Sequence, residues 1–84
     1  MPRRGNNWTN QRPSVVLGVT RVSKLFFIDN SRNTEWHDGT VVSRRRDGSH
    51  FIYFIRYDDE DTEEMYISQV RTHMKEYDEL HNIR

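Results

Sequence analysis

From Val15 onward the apolar residues fall in short clusters separated by polar turn formers, a pattern that predicts strands. Val15-Val16-Leu17-Gly18 opens the ordered part, and β-branched and aromatic residues over Val19 to Ile28 predict a first strand with Gly18 near its entry. Asp29-Asn30-Ser31-Arg32-Asn33-Thr34 reads as an exposed loop, because short polar side chains satisfy the local backbone. A second strand is expected over Glu35 to Arg46, with Gly39 marking a bend or bulge, and Asp47-Gly48 supplies a hairpin turn. In His50 to Tyr57, Phe51, Tyr53, Ile55 and Tyr57 share one face while Ile52, Phe54 and Arg56 share the other. Both faces are largely apolar, so this strand belongs in the middle of the sheet. Thr62 to Ile67 predicts a short fourth strand, and Ser68-Gln69-Val70-Arg71 a helical turn into a brief fifth. Val70, Met74, Tyr77 and Leu80 then recur at spacings that permit a short amphipathic helix.

These elements sum to an all-β fold, a small five-stranded antiparallel barrel over residues 15–72. A C-terminal tail or short helix is expected over 73–84, and residues 1–14 read as a basic arm too poor in aliphatic side chains to fold. At 84 residues only one small core can form, and with 33% hydrophobic but 12% aromatic residues, a few large rings must supply most of it. There is no cysteine, hence no disulfide framework and no thiolate zinc site. An intracellular protein is expected, since the start shows no signal-peptide pattern and no run reaches membrane-spanning length.

The formal net charge of zero conceals segregation. Residues 1–28 carry Arg3, Arg4, Arg12, Arg21 and Lys24 without an acid, whereas residues 58–64 carry six acids and no base. An aromatic strand, Tyr53 to Tyr57, thus runs directly into an acidic turn. A ring face beside carboxylates suits a cation, through the ring quadrupole and longer-range attraction. The neighbours Asp58 and Asp59 should point to opposite sides rather than converge as a catalytic pair, and no nucleophile motif or cofactor fingerprint is present, so no enzymatic activity and no cofactor are expected. The four histidines show no compact metal spacing.

Gly18 with Val22 to Phe27, Trp36-His37-Asp38-Gly39-Thr40-Val41, Tyr53 to Tyr57 and Asp58-Asp59-Glu60-Asp61-Thr62-Glu63 together resemble a Tudor domain of the Royal superfamily, over roughly residues 18–71. Plant Agenet-type modules share the pattern. The resemblance implies an SH3-like barrel and a nuclear, chromatin-associated reader of methylated lysine or methylated arginine in histone or other basic tails. Carried over by position, the aromatic cage would comprise Phe26, or Phe27 one residue on, then His37 or Trp36, and Tyr57. Asp59, Glu60, Asp61 and Glu63 would form an acidic rim. The cage so implied is partial, because Glu60 and Glu63 stand where a fourth aromatic often follows. Family members commonly have glycine where Glu60 stands, and glutamate there argues against a left-handed backbone.

The competing expectation for Phe26, Trp36 and Tyr57 is plain core filling, the usual fate of large aromatics in a small domain. A second functional reading is nucleic-acid binding, DNA or RNA, by Arg3, Arg4, Arg12 and the hairpin arginines Arg44, Arg45 and Arg46. A third is a methylation-independent protein-interaction module. The isolated domain is expected to be a monomer without membrane association.

Overall fold

The computed structural model of the protein describes residues 14–28 and 32–82. Four strands, β1 (Arg21–Phe27), β2 (Thr34–Asp47), β3 (His50–Tyr57) and β4 (Thr62–Tyr66), pair antiparallel in the order β1-β2-β3-β4, and helix α1 (Ile67–Leu80) follows. The sheet curls into a half-barrel with α1 packed chiefly against β1.

β1 starts later than the run of β-formers suggests, because residues 16–20 close a turn instead. Val19 and Thr20 donate their N–H groups to the Val16 carbonyl, and the Val16 N–H donates to Thr20 Oγ1. Gly18 at φ +81° completes the turn and donates to the Val41 carbonyl at 2.7 Å. The expected hairpin forms, with Gly48 at φ +62° as the first of two loop residues between Asp47 and His50.

The bulge lies between Val41 and Ser43, not at Gly39. It resets the phase of β2, so that Arg44 and Arg46 pair with Tyr53 and Phe51 on one face, while Arg45 pairs with Ile52 on the other. Gly39 has a different task. A Cβ there would stand 2.9 Å from Tyr57 Cδ1 and 3.0 Å from the Arg56 carbonyl oxygen, so glycine lets the Tyr57 ring settle onto β2.

Val22, Val41, Tyr53, Ile55, Tyr57 and Met65 form the core from the concave face of the sheet, and Val70 and Met74 of α1 complete it. The expected fifth strand is corrected here: Ser68 to Arg71 lies inside α1, and the described residues contain four strands. The boundary expected at residue 72 falls within this continuous helix. Three features favour the helix. Gln69 Oε1 accepts the Tyr66 N–H at 3.0 Å at its start. No glycine or proline interrupts residues 67–80. Val70 and Met74, one turn apart, bury on one side, worth roughly 1.5–3 kcal/mol each. A 14-residue helix is marginal on its own, so this packing decides it.

The far end of α1 is tied to the sheet by polar contacts. His81 Nε2 lies 2.9 Å from Asp38 Oδ2, and the Arg21 guanidinium sits 5.5 Å from the Tyr77 ring centroid. Arg21 also makes a two-pronged bond to Asp58 at 2.9 and 2.8 Å, which anchors the acidic turn to β1.

Candidate functional site

Alternation along β1 and β2 places Lys24 and Phe26 opposite His37 and Glu35 on the concave face, and Gly39 brings Tyr57 beside them. The Phe26 ring stands 5.3 Å from Tyr57 at an interplanar angle of 90° and 5.2 Å from His37 at 73°. Phe26 thus meets each of the other two rings edge to face, an arrangement that aromatic quadrupoles favour. They border a cavity of about 390 Å³ whose other walls include Ile28, Thr62 and the acids Glu35, Asp61 and Glu63.

Tyr57 is both core and wall. It is 2% exposed, and its hydroxyl donates to Glu63 Oε1 at 2.7 Å. Burial pushes that hydroxyl's pKa up, and the bond to Glu63 adds to the effect. Lys24 Nζ bonds the other Glu63 oxygen at 2.7 Å and lies 5.3 Å from the Phe26 centroid, yet it does not line the cavity. It supports the walls from outside. Burial works to raise the Glu63 carboxyl, but the hydrogen bonds from Lys24 and Tyr57 outweigh it and hold the group below its usual range.

His37 bonds two carboxylates, Glu35 through Nε2 at 2.8 Å and Asp59 through Nδ1 at 2.9 Å. Both nitrogens must then donate, which describes an imidazolium. The Glu35 bond holds the ring's pKa above its ordinary value against desolvation, with Asp59 adding to it. By contrast, the Asp61 carboxylate makes no ion pair or side-chain hydrogen bond with any described residue, although Asp61 lines the cavity.

Of the expected cage residues, Phe26, His37 and Tyr57 come together. Phe27 is 76% exposed at the cavity rim. Trp36 points away from the ring cluster and lies beside Leu80 in a separate groove. In the acidic turn, Asp61 and Glu63 reach the cavity, Asp59 acts through His37, and Glu60 faces a different depression beside Thr40 and Val42. Asp58 and Asp59 turn to different partners, Arg21 and His37. Glu60 adopts φ +79°, which corrects the expectation of an unstrained backbone there: the turn keeps its left-handed residue although the side chain is not glycine. The bonds of the Tyr57 and Glu60 N–H groups to Asp61 and Tyr57 carbonyls hold that geometry.

Glu35 and Lys24 were not singled out by the sequence reading. The signal was present in the two-residue period, since Glu35 shares the face of His37, and Lys24 that of Phe26.

At the hairpin, Arg44 lies 4.3 Å and Arg46 5.5 Å from the Phe51 centroid, while Arg45 pairs with Glu64 at 3.1 Å. Arg3, Arg4 and Arg12 lie outside the described residues. Among the described residues no group of three or more His, Asp or Glu converges to hold a metal ion, and no helix is long and apolar enough to cross a membrane.

Comparison of the chain with protein-family models, with curated proteins and with solved structures returns no match.

Proposed function

We propose that the chain is a Tudor-like module of the SH3-like barrel type, nuclear and chromatin-associated, that binds a methylated lysine or arginine of a basic protein tail, such as a histone tail. The observation that carries this reading is the edge-to-face contact of Phe26 with both Tyr57 and His37 beside a cavity also lined by Asp61, whose carboxylate has no partner among the described residues. A methylated ammonium has lost hydrogen-bond donors and gained apolar surface, so the neutral rings of Phe26 and Tyr57 with a nearby carboxylate suit it better than carboxylates alone, while the charge of the His37 imidazolium is balanced by Glu35 and Asp59. Ordering a flexible peptide offsets much of the gain, which sets the expected affinity roughly in the micromolar to millimolar range.

The acidic balance of the cavity favours a cationic ligand over nucleic acid. The hairpin arginines, on which the nucleic-acid alternative relies, already have Phe51 and Glu64 as partners. The deciding experiment is a proton–nitrogen shift titration with paired basic peptides, unmodified and trimethylated at one lysine. Methyl-dependent shifts at Phe26, His37 and Tyr57, weakened by Phe26→Ala and Asp61→Asn, are expected. Equal binding of the two peptides would overturn the reading.

A further inference from the structure

The start of β2 carries an open strand edge. The last β3 residue paired with β2 is Tyr57, opposite Gly39, so residues 34–38 have β1 on one side and no described strand on the other. Three bonds fix which residues face that open side. Val41 donates to the Thr20 carbonyl and the Asn33 carbonyl accepts from Ile28, both toward β1, whereas the Asp38 carbonyl accepts from Asp58 on the opposite side. In an antiparallel ladder this parity alternates. The N–H and C=O of Thr34 and Trp36 therefore point in the same direction as the Asp38 carbonyl, toward the open edge.

Two hollows meet at this edge. One is the ring-walled cavity. The other, of about 500 Å³, lies beside Trp36 and Leu80, which are 41% and 46% exposed, and is rimmed by Glu35, Asp38, Asp58 and Asp59. Glu35 and His37 border both. Glu35 and Asp59 share His37, Asp38 bonds His81 and Arg21 holds Asp58, so four carboxylates stand against three basic groups and the second hollow keeps an acidic excess beside an indole.

We infer that the Thr34–Trp36 edge docks one extended basic peptide by strand addition, with an arginine directly adjacent to the methylated residue seated over Trp36. The inference rests on the function proposed above and specifies its ligand. Successive side chains of an added strand point to opposite faces, so neighbouring residues, rather than residues two apart, reach the two hollows. Arginine fits the second one because its planar guanidinium stacks on an indole while its edges bond carboxylates. Backbone pairing to Thr34 and Trp36 holds the register.

The test uses acetylated, amidated glycine–serine peptides containing one trimethyl-lysine and one arginine, either adjacent or separated by one serine, and the same pair with unmodified lysine. Net charge is equal within each pair, so charge attraction alone predicts equal binding. The adjacent peptide should bind about five- to tenfold more tightly than the separated one, the preference should vanish in Trp36→Ala, and methyl dependence should survive there. Equal affinity of the adjacent and separated peptides overturns the inference. If that equality comes with methyl dependence, the proposed function stands alone. A preference for adjacency without methyl dependence overturns the proposed function and keeps the docking edge. Binding of none of the peptides overturns both, as does a peptide-free dimer in sedimentation whose exchange-protected amides include Trp36, since a second copy would then own the edge.

Discussion

At one end of the β2–β3 ladder Arg44 and Arg46 cover Phe51, and Arg45 pairs with Glu64; at the other, Phe26, His37 and Tyr57 surround a cavity lined by acids. Both ends combine rings with charge. At the hairpin the chain supplies its own cations, and the rings and guanidinium groups face each other across exposed positions. At the acidic end Lys24 and His37 are committed to Glu63, Glu35 and Asp59, and Asp61 is left without a partner among the described residues. The same interactions thus serve surface packing at one end and border an acid-lined hollow at the other, according to which carboxylates remain without a partner among the described residues.

The comparison breaks most easily at Tyr57. Tyr57→Ala should cost about 3–5 kcal/mol in urea unfolding, as for other buried aromatics, whereas Phe51→Ala at the half-exposed hairpin should cost clearly less. Equal losses would mean that the two ends are alike. Tyr57→Phe, which keeps the ring and removes only the hydroxyl bonded to Glu63, separates packing from polar support and should cost about 1.5–3 kcal/mol.

Gly39→Ala is next. Its Cβ would meet Tyr57 and the Arg56 carbonyl too closely, so a loss of about 1–3 kcal/mol is expected, with chemical-shift changes centred on Tyr57. An alanine variant of wild-type stability would show that the ring does not need that approach.

A smaller effect depends on pH. The folded-state pKa of His37 lies above its ordinary 6.5, so the charged ring's contribution is complete below that value and is lost as pH rises through the raised one. Glu63 and Asp58 are lowered, and their contribution, present above the ordinary carboxylate range, is lost as pH falls through their folded values. The wild type should lose stability as pH rises from about 6 toward about 8, and His37→Gln should flatten that slope. An unchanged slope would remove the imidazolium from the site.

The smallest expected change is a gain. Glu60 at φ +79° carries a left-handed cost of about 1–2 kcal/mol, partly offset by the backbone entropy that glycine loses on folding. Glu60→Gly should therefore stabilise the domain by up to about 1 kcal/mol without altering peptide binding, since Glu60 does not line the ring-walled cavity.

Much of the sheet was legible. The two-sided apolar run His50–Tyr57 is an inner strand, and the Asp47-Gly48 signal is a hairpin. Ser68 to Arg71 is too short for local propensity to distinguish the expected fifth strand from the first turns of the helix that forms. The spacing of Val70 and Met74 carried the better information, and burial against β1 turned it into a long helix. At the site, Tyr57 and the choice between Phe26 and Phe27 could be framed from alternation, but not resolved without the β1–β2 register.

By itself, the sequence determined the periodicities: which runs become strands, where the hairpin turns, and that rings precede an acidic stretch. These are local consequences of side-chain shape and backbone preference. Only the tertiary structure decided that Phe26 rather than Phe27 faces Tyr57, that His37 is clamped by Glu35 and Asp59, and that Trp36 lies by the other hollow with Leu80. Those outcomes depend on the register of β1 against β2, the bulge between Val41 and Ser43, and the docking of α1. Each is set by packing between residues distant in the chain, which local pattern does not encode.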